Sequence, residues 1–95
     1  MTVEGQHRVR LIINGQVQDA EFGQYTQQHA LRLGLTGYIK NKRDHSVEVI
    51  AEGHRHNLNT LIEVLHQGPP SAIVRRVNAM FENASGQFDT FRIDP

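Results

Sequence analysis

The sequence predicts an α+β fold: an antiparallel sheet with two helices packed on one of its faces. Three observations carry that expectation. The hydrophobic period switches between two and 3.6 residues in the order βαββαβ, with a short extra strand at the C-terminus. Glycine and proline fall where the period changes. The chain has 95 residues, which suits one domain over residues 1–95.

In residues 7–14, Val9, Leu11 and Ile13 alternate with Arg8 and Arg10, the pattern of a half-buried strand. Asn14-Gly15 breaks it. Over residues 20–33, Phe22, Thr26, Ala30 and Leu33 form one helical stripe, and Gly34 follows where a helix takes a left-handed cap. A second strand is expected over 36–42 and a third over 46–52, where Val47, Val49 and Ala51 alternate with Glu48 and Glu52. Lys42-Arg43-Asp44-His45 is the turn of that hairpin, and Gly53 is expected to end its second strand. Leu58, Leu61, Ile62 and Leu65 recur at helical spacing until Gly68-Pro69-Pro70 stops them. A fourth strand over 72–82 sets Val77, Ala79 and Phe81 on one face. Asn83-Ala84-Ser85-Gly86 turns the chain, and Phe88, Phe91 and Ile93 mark the short last strand. Two β-α-β units in this order give the ferredoxin-like arrangement, which hosts many unrelated activities.

Composition narrows the functional classes. Lys plus Arg and Asp plus Glu are 10 each, so the net charge is zero and no global field gathers nucleic acid or anionic lipid. With no cysteine there is no disulfide, thiolate ligand or cysteine nucleophile. No apolar run approaches the roughly 20 residues of a membrane helix. The stretch from Met1 to His7 is polar, without the apolar core of a signal peptide. The expectation is a cytoplasmic monomer that binds neither membrane nor nucleic acid and uses no cofactor or metal. Of the six histidines, His54 and His56 form the one close pair, and no third ligand stands at metal-binding spacing beside them. RNA-recognition modules share the βαββαβ order, but they stack bases on strand aromatics, and the first and third strands here carry none.

The first strand-to-helix junction is the candidate site. A short loop running into a helix N-terminus leaves backbone N–H groups free to bind an anion. Here it reads Gly15-Gln16-Val17-Gln18-Asp19-Ala20-Glu21-Phe22-Gly23. It resembles the acylphosphatase signature Gly-x-Val-Gln-Gly-Val-Gly-Phe-Arg at Gly15, Val17, Gln18 and Phe22. Leu33-Gly34-Leu35-x-Gly37, Ile39-x-Asn41, Val47-Glu48, Gly53, and Gly68-Pro69 with Ala72 and Val74 fall in the same register, so the resemblance spans roughly residues 7–93. It implies hydrolysis of carboxyl-phosphate anhydrides without a metal. Loop amides and the signature arginine would grip the phosphate, and an asparagine on the second strand would position the attacking water.

Carried across residue by residue, the resemblance keeps the asparagine as Asn41 and loses the arginine to Gly23. The loop glycines become Asp19 and Glu21, the valine between them becomes Ala20, and the Asp-Gly of the following hairpin becomes Asp44-His45. Losing the guanidinium removes a bidentate, permanently charged clamp. Losing two glycines restricts the loop backbone, and two carboxylates repel phosphate. The phosphate loop of Gly15, Gln18, Asp19, Ala20, Glu21 and Phe22 is therefore expected to hold a small acyl phosphate or phosphate only weakly. Asp19 and Glu21 either cap the helix and fill the anion site from within, or face solvent. Three functions remain open: a degenerate acylphosphatase with little or no activity, an active one with a relocated cation such as Arg43, and a protein-interaction module using a sheet edge.

Overall fold

The computed structural model describes residues 5–95, so residues 1–4 of the polar N-terminal stretch lie outside it. The elements are β1 (Gln6–Gln16), α1 (Ala20–Arg32), β2 (Thr36–Asn41), β3 (Val47–His54), α2 (Arg55–Gln67), β4 (Ile73–Asn83) and β5 (Phe91–Asp94). The strands form one sheet in the order β4-β1-β3-β2-β5. β1 runs antiparallel to β3 and β4, and β2 runs antiparallel to β3. The fifth strand joins parallel to β2, so the sheet is mixed at that edge.

The alternation in β1 sorts its side chains as expected. Val9, Leu11 and Ile13 are fully buried and stand across from Ala51, Val49 and Val47 of β3, which are also buried. Phe22, Thr26 and Ala30 of α1 and Leu58, Leu61 and Leu65 of α2 close over them. The buried Thr26 hydroxyl donates to the Phe22 carbonyl at 2.9 Å, so the core holds no orphan hydroxyl there. Gly34 takes φ of 69° after α1, and Leu35 N–H reaches back to the Ala30 carbonyl at 2.9 Å, the left-handed cap the sequence predicts.

Gly53 does not end the third strand. β3 runs through it to His54 and α2 follows directly. The glycine serves packing instead: a Cβ there would lie 2.4 Å from Leu35 Cδ2. In β4, pairing with β1 slips between Asn14 and Gly15, leaving Arg75 as the extra residue of a bulge. Val77, Ala79 and Phe81 do share the helix-side face, opposite Ile13, Leu11 and Val9. Val77 and Phe81 pack against the core, whereas Ala79, small and on an edge strand, stays exposed.

The opposite face is held by charge. Glu52 on β3 is only 3% exposed. Its carboxylate accepts from Arg8 Nε at 2.7 Å, Ser85 Oγ at 2.8 Å, and the backbone N–H groups of Ser85 and Gly86, each at 2.9 Å. This group straps the segment leading to β5 across the sheet. Burial, the largest single influence on Glu52, pushes its pKa up, but the hydrogen bonds together outweigh it and hold the carboxyl below its ordinary value of 4.5. A depressed carboxyl pKa stabilises the fold above the unfolded-state value, and that contribution is lost as pH falls through the folded value. Glu52→Gln is expected to cost about 2–3 kcal/mol at neutral pH. Urea unfolding across the acid range should show stability falling less steeply below pH ~4.5 in Glu52→Gln than in the parent chain.

Candidate functional site

The loop between β1 and α1 is fixed at three points before the helix begins. Gly15 adopts φ of 139°, and a Cβ there would sit 1.9 Å from the Ile73 carbonyl oxygen, so only glycine lets β1 pass β4 this closely. Val17 is buried at 2% exposure. Gln18 Nε2 donates to the carbonyls of Lys42 at 2.8 Å and Ser46 at 2.7 Å, which ties the loop to the β2–β3 turn. That turn has its own support. Asp44 Oδ1 accepts from the Ser46 hydroxyl and amide, and these two bonds hold the Asp44 carboxyl below its ordinary value. His45 occupies the left-handed region at φ of 72°, which glycine takes without strain.

Asp19 is the N-cap of α1. Its backbone is extended, at φ −91° and ψ 165°, and its Oδ1 accepts from Phe22 N–H at 2.8 Å. One of the amides that a helix N-terminus would offer an anion is thus already taken by a carboxylate of the chain itself. Ala20 and Glu21 lie exposed in the first turn, and Glu21 complements the helix dipole there. Phe22 is fully buried in the core.

Gly23 faces β5. A Cβ on it would meet Ile93 Cγ2 at 3.6 Å, an ordinary van der Waals contact. Beside it opens a cavity of about 370 Å³ lined by Asp19, Ala20, Gly23, Gln24, Ile39, Asn41, Ile93 and Asp94. Asn41, the last residue of β2, therefore shares a cavity with Gly23, Asp19 and Ala20, as the sequence motif requires. The lining carries two carboxylates and neither lysine nor arginine.

The other positions separate. Gly15 and Gln18 line a neighbouring depression of about 380 Å³ with His45 and Ser71, and Asp19 borders both spaces. Glu21 and Phe22 line neither. Arg43 lines a hollow of about 430 Å³ formed by Lys40–Asp44, which shares Asn41 with the main cavity but does not include Gly23. His54 and His56 are both exposed, and among the described residues no three histidine or carboxylate side chains are grouped to hold a metal ion.

Ile93 and Asp94 are site residues that sequence reasoning missed. They reach the cavity because β5 pairs in parallel with β2, setting Ile93 across from Ile39 and Asp94 across from Lys40. A four-residue strand carries no periodic signal of its partner. Asp94 adds a second carboxylate to that of Asp19 in the lining. At ~5 Å each carboxylate opposes a phosphate by roughly 1–3 kcal/mol between water-like and surface-like screening.

Two substitutions separate the helix cap from the open glycine. Asp19→Ala removes the bond to Phe22 N–H and is expected to cost about 0.5–2 kcal/mol. Gly23→Ala adds a methyl group within a helix, in ordinary contact with Ile93, and is expected to stabilise by up to ~1 kcal/mol. Chemical denaturation of the two variants checks both signs.

Comparison with known proteins agrees with the motif. The acylphosphatase family model matches residues 9–93. An acylphosphatase of Dehalococcoides mccartyi (strain CBDB1) is 41% identical over 88 residues, covering 92% of this chain and 97% of that protein. One from Salinibacter ruber is 40% identical over 86 residues, covering 90% of each chain. Among solved structures, the acylphosphatase from Bacillus subtilis superposes with a TM-score of 0.89 at 28% identity, covering 94% of this chain and 99% of that one. The acylphosphatase from Coxiella burnetii gives 0.88 at 31% identity, covering 99% and 98%.

Proposed function

The chain belongs to the acylphosphatase family, and on that footing we propose that it is a member whose hydrolysis of carboxyl-phosphate anhydrides is lost or reduced to a trace. The observation that carries this reading is the cavity that joins Gly23 to Asn41: its lining holds the carboxylates of Asp19 and Asp94 and no cation.

The family reaction joins water to phosphorus and breaks the bond between phosphorus and the acyl oxygen, releasing inorganic phosphate and a carboxylate. Catalysis of phosphoryl transfer rests on holding the reacting atoms in line and neutralising charge on the transferred group. Asn41 keeps the amide that would orient the water. Gly23 offers nothing to the phosphoryl oxygens, and an arginine that stabilises a transferring phosphoryl group contributes ~10³ or more in rate. Asp19 works in the same direction, because its carboxylate holds the Phe22 amide that would otherwise point at an anion. Each remaining contribution to ligand binding is weak, so phosphate or a small acyl phosphate would be held poorly. A relocated cation is the competing reading, and Arg43, across Asn41 from the cavity, is its best candidate.

Hydrolysis of a small acyl phosphate at neutral pH tests the proposal in three proteins: the parent chain, Gly23→Arg, and the triple variant Asp19→Gly, Glu21→Gly, Gly23→Arg. The parent is expected to stay at background with or without added guanidinium. Gly23→Arg should recover little, because the new side chain has Asp19 and Asp94 beside it as partners. The triple variant should gain much more. Turnover by the parent within about tenfold of a typical ~10 s⁻¹ would overturn the proposal, and its loss in Arg43→Ala would identify the substitute cation.

A further inference from the structure

Strand β4 is an eleven-residue edge that, among the described residues, pairs only with β1, so the N–H and C=O groups on its outer side have no partner strand there. The bulge at Arg75 disturbs its first part. From Arg76 to Asn83 the ladder with β1 is unbroken. The regular stretch carries opposite charges at its two ends, Arg76 and Glu82, and both lie on the face opposite the helices. Arg76 makes no ion pair among the described residues. Glu82 Oε1 is buried 3.5 Å from Arg10 Nε without forming a hydrogen bond, while the Glu82 side chain as a whole is 37% exposed. Met80, between them, is 59% exposed.

We propose that β4 pairs with β4 of a second copy of this chain, antiparallel and centred on Ala79, joining two five-stranded sheets edge to edge. In this register Arg76 of each copy stands across from Glu82 of the other, and Val77 across from Phe81, each pair occurring twice about the twofold axis. A twofold contact requires a self-complementary patch, and a strand positive at one end and negative at the other is complementary to its own antiparallel image. Register is selective. A slip of one residue turns the side chains to the wrong faces, and a slip of two parts both charge pairs. Parallel pairing would set arginine beside arginine. The two arginines that guard this edge repel strands carrying positive charge and admit one that presents an acid at the matching position. A single strand pair buries less than the ~1,200 Å² of a small stable interface, so the contact is weak and depends on concentration. The chain is then the monomer expected from its sequence when dilute and a dimer when concentrated. This holds whether or not the Gly23 cavity is active.

Sedimentation equilibrium on the whole chain, up to about 1 mM protein, tests it with charge reversal. Arg76→Glu and Glu82→Arg should each weaken self-association by about tenfold or more, because each sets like charges across the twofold axis. Mixing the two single variants should restore association as a heterodimer, and the double variant should dimerise like the parent. Recovery on mixing cannot come from misfolded protein. A parent that stays monomeric throughout, single variants that associate as well as the parent, or a mixture no better than its components would each overturn the proposal.

Discussion

Strand β1 is paired along both sides, with β3 from Gln6 to Ile13 and with β4 from His7 to Gln16. That double pairing fixes the rest of the molecule. It commits Val9, Leu11 and Ile13 to the helix side, where the apolar stripes of α1 and α2 must meet them. It commits Arg8 and Arg10 to the other side, where Glu52, Glu48 and Glu82 receive them. It also fixes where the chain leaves the sheet. Gly15 lets β1 pass under Ile73, and the four residues beyond carry the chain to Asp19 at a defined point above the end of β2. The junction is thus a rigid product of the sheet, tied down again by Gln18 on Lys42 and Ser46.

A junction built this way is suited to hold an anion, and the same construction lets the chain occupy it from within. The helix N-terminus needs an acceptor for its free amides in any case. When Asp19 supplies that acceptor, α1 gains stability and a phosphate loses a donor. Gly23 brings no charge to the cavity, and Asp94 on β5 brings a second carboxylate beside that of Asp19. The frame does not depend on the side chains that differ from the motif: Asp19, Ala20 and Glu21 are exposed, whereas Val17 and Phe22, which match it, are buried. Fold and reaction chemistry are separable here because they rest on different residues of the same short segment.

Much of this was legible in the sequence, and what was not has physical causes. The helices follow from the spacing of Phe22, Thr26 and Ala30 and of Leu58, Leu61 and Leu65, since local periodicity reports directly on a buried stripe. The Asp19 cap, the Gly34 cap and the meeting of Asn41 with Gly23 could be inferred from local chemistry and from the family motif. Gly53 was misleading because a glycine that makes room for Leu35 looks like a glycine that breaks a strand. The bulge at Arg75, the parallel pairing of β5 and the arrival of Ile93, Asp94, His45 and Ser71 around the site depend on contacts between distant segments, which no local pattern records.

On the proposed reading, the β1–α1 junction binds phosphate only weakly. Backbone amide resonances of Gln18 to Gly23 and the side-chain amide of Asn41, followed while inorganic phosphate is titrated against chloride at constant ionic strength and neutral pH, test it most directly. Within ordinary millimolar phosphate these resonances are expected to move only slightly and without saturation. Saturable shifts centred on the Phe22 and Gly23 amides at those concentrations would show that Asp19 yields its place to phosphate, and would contradict the account.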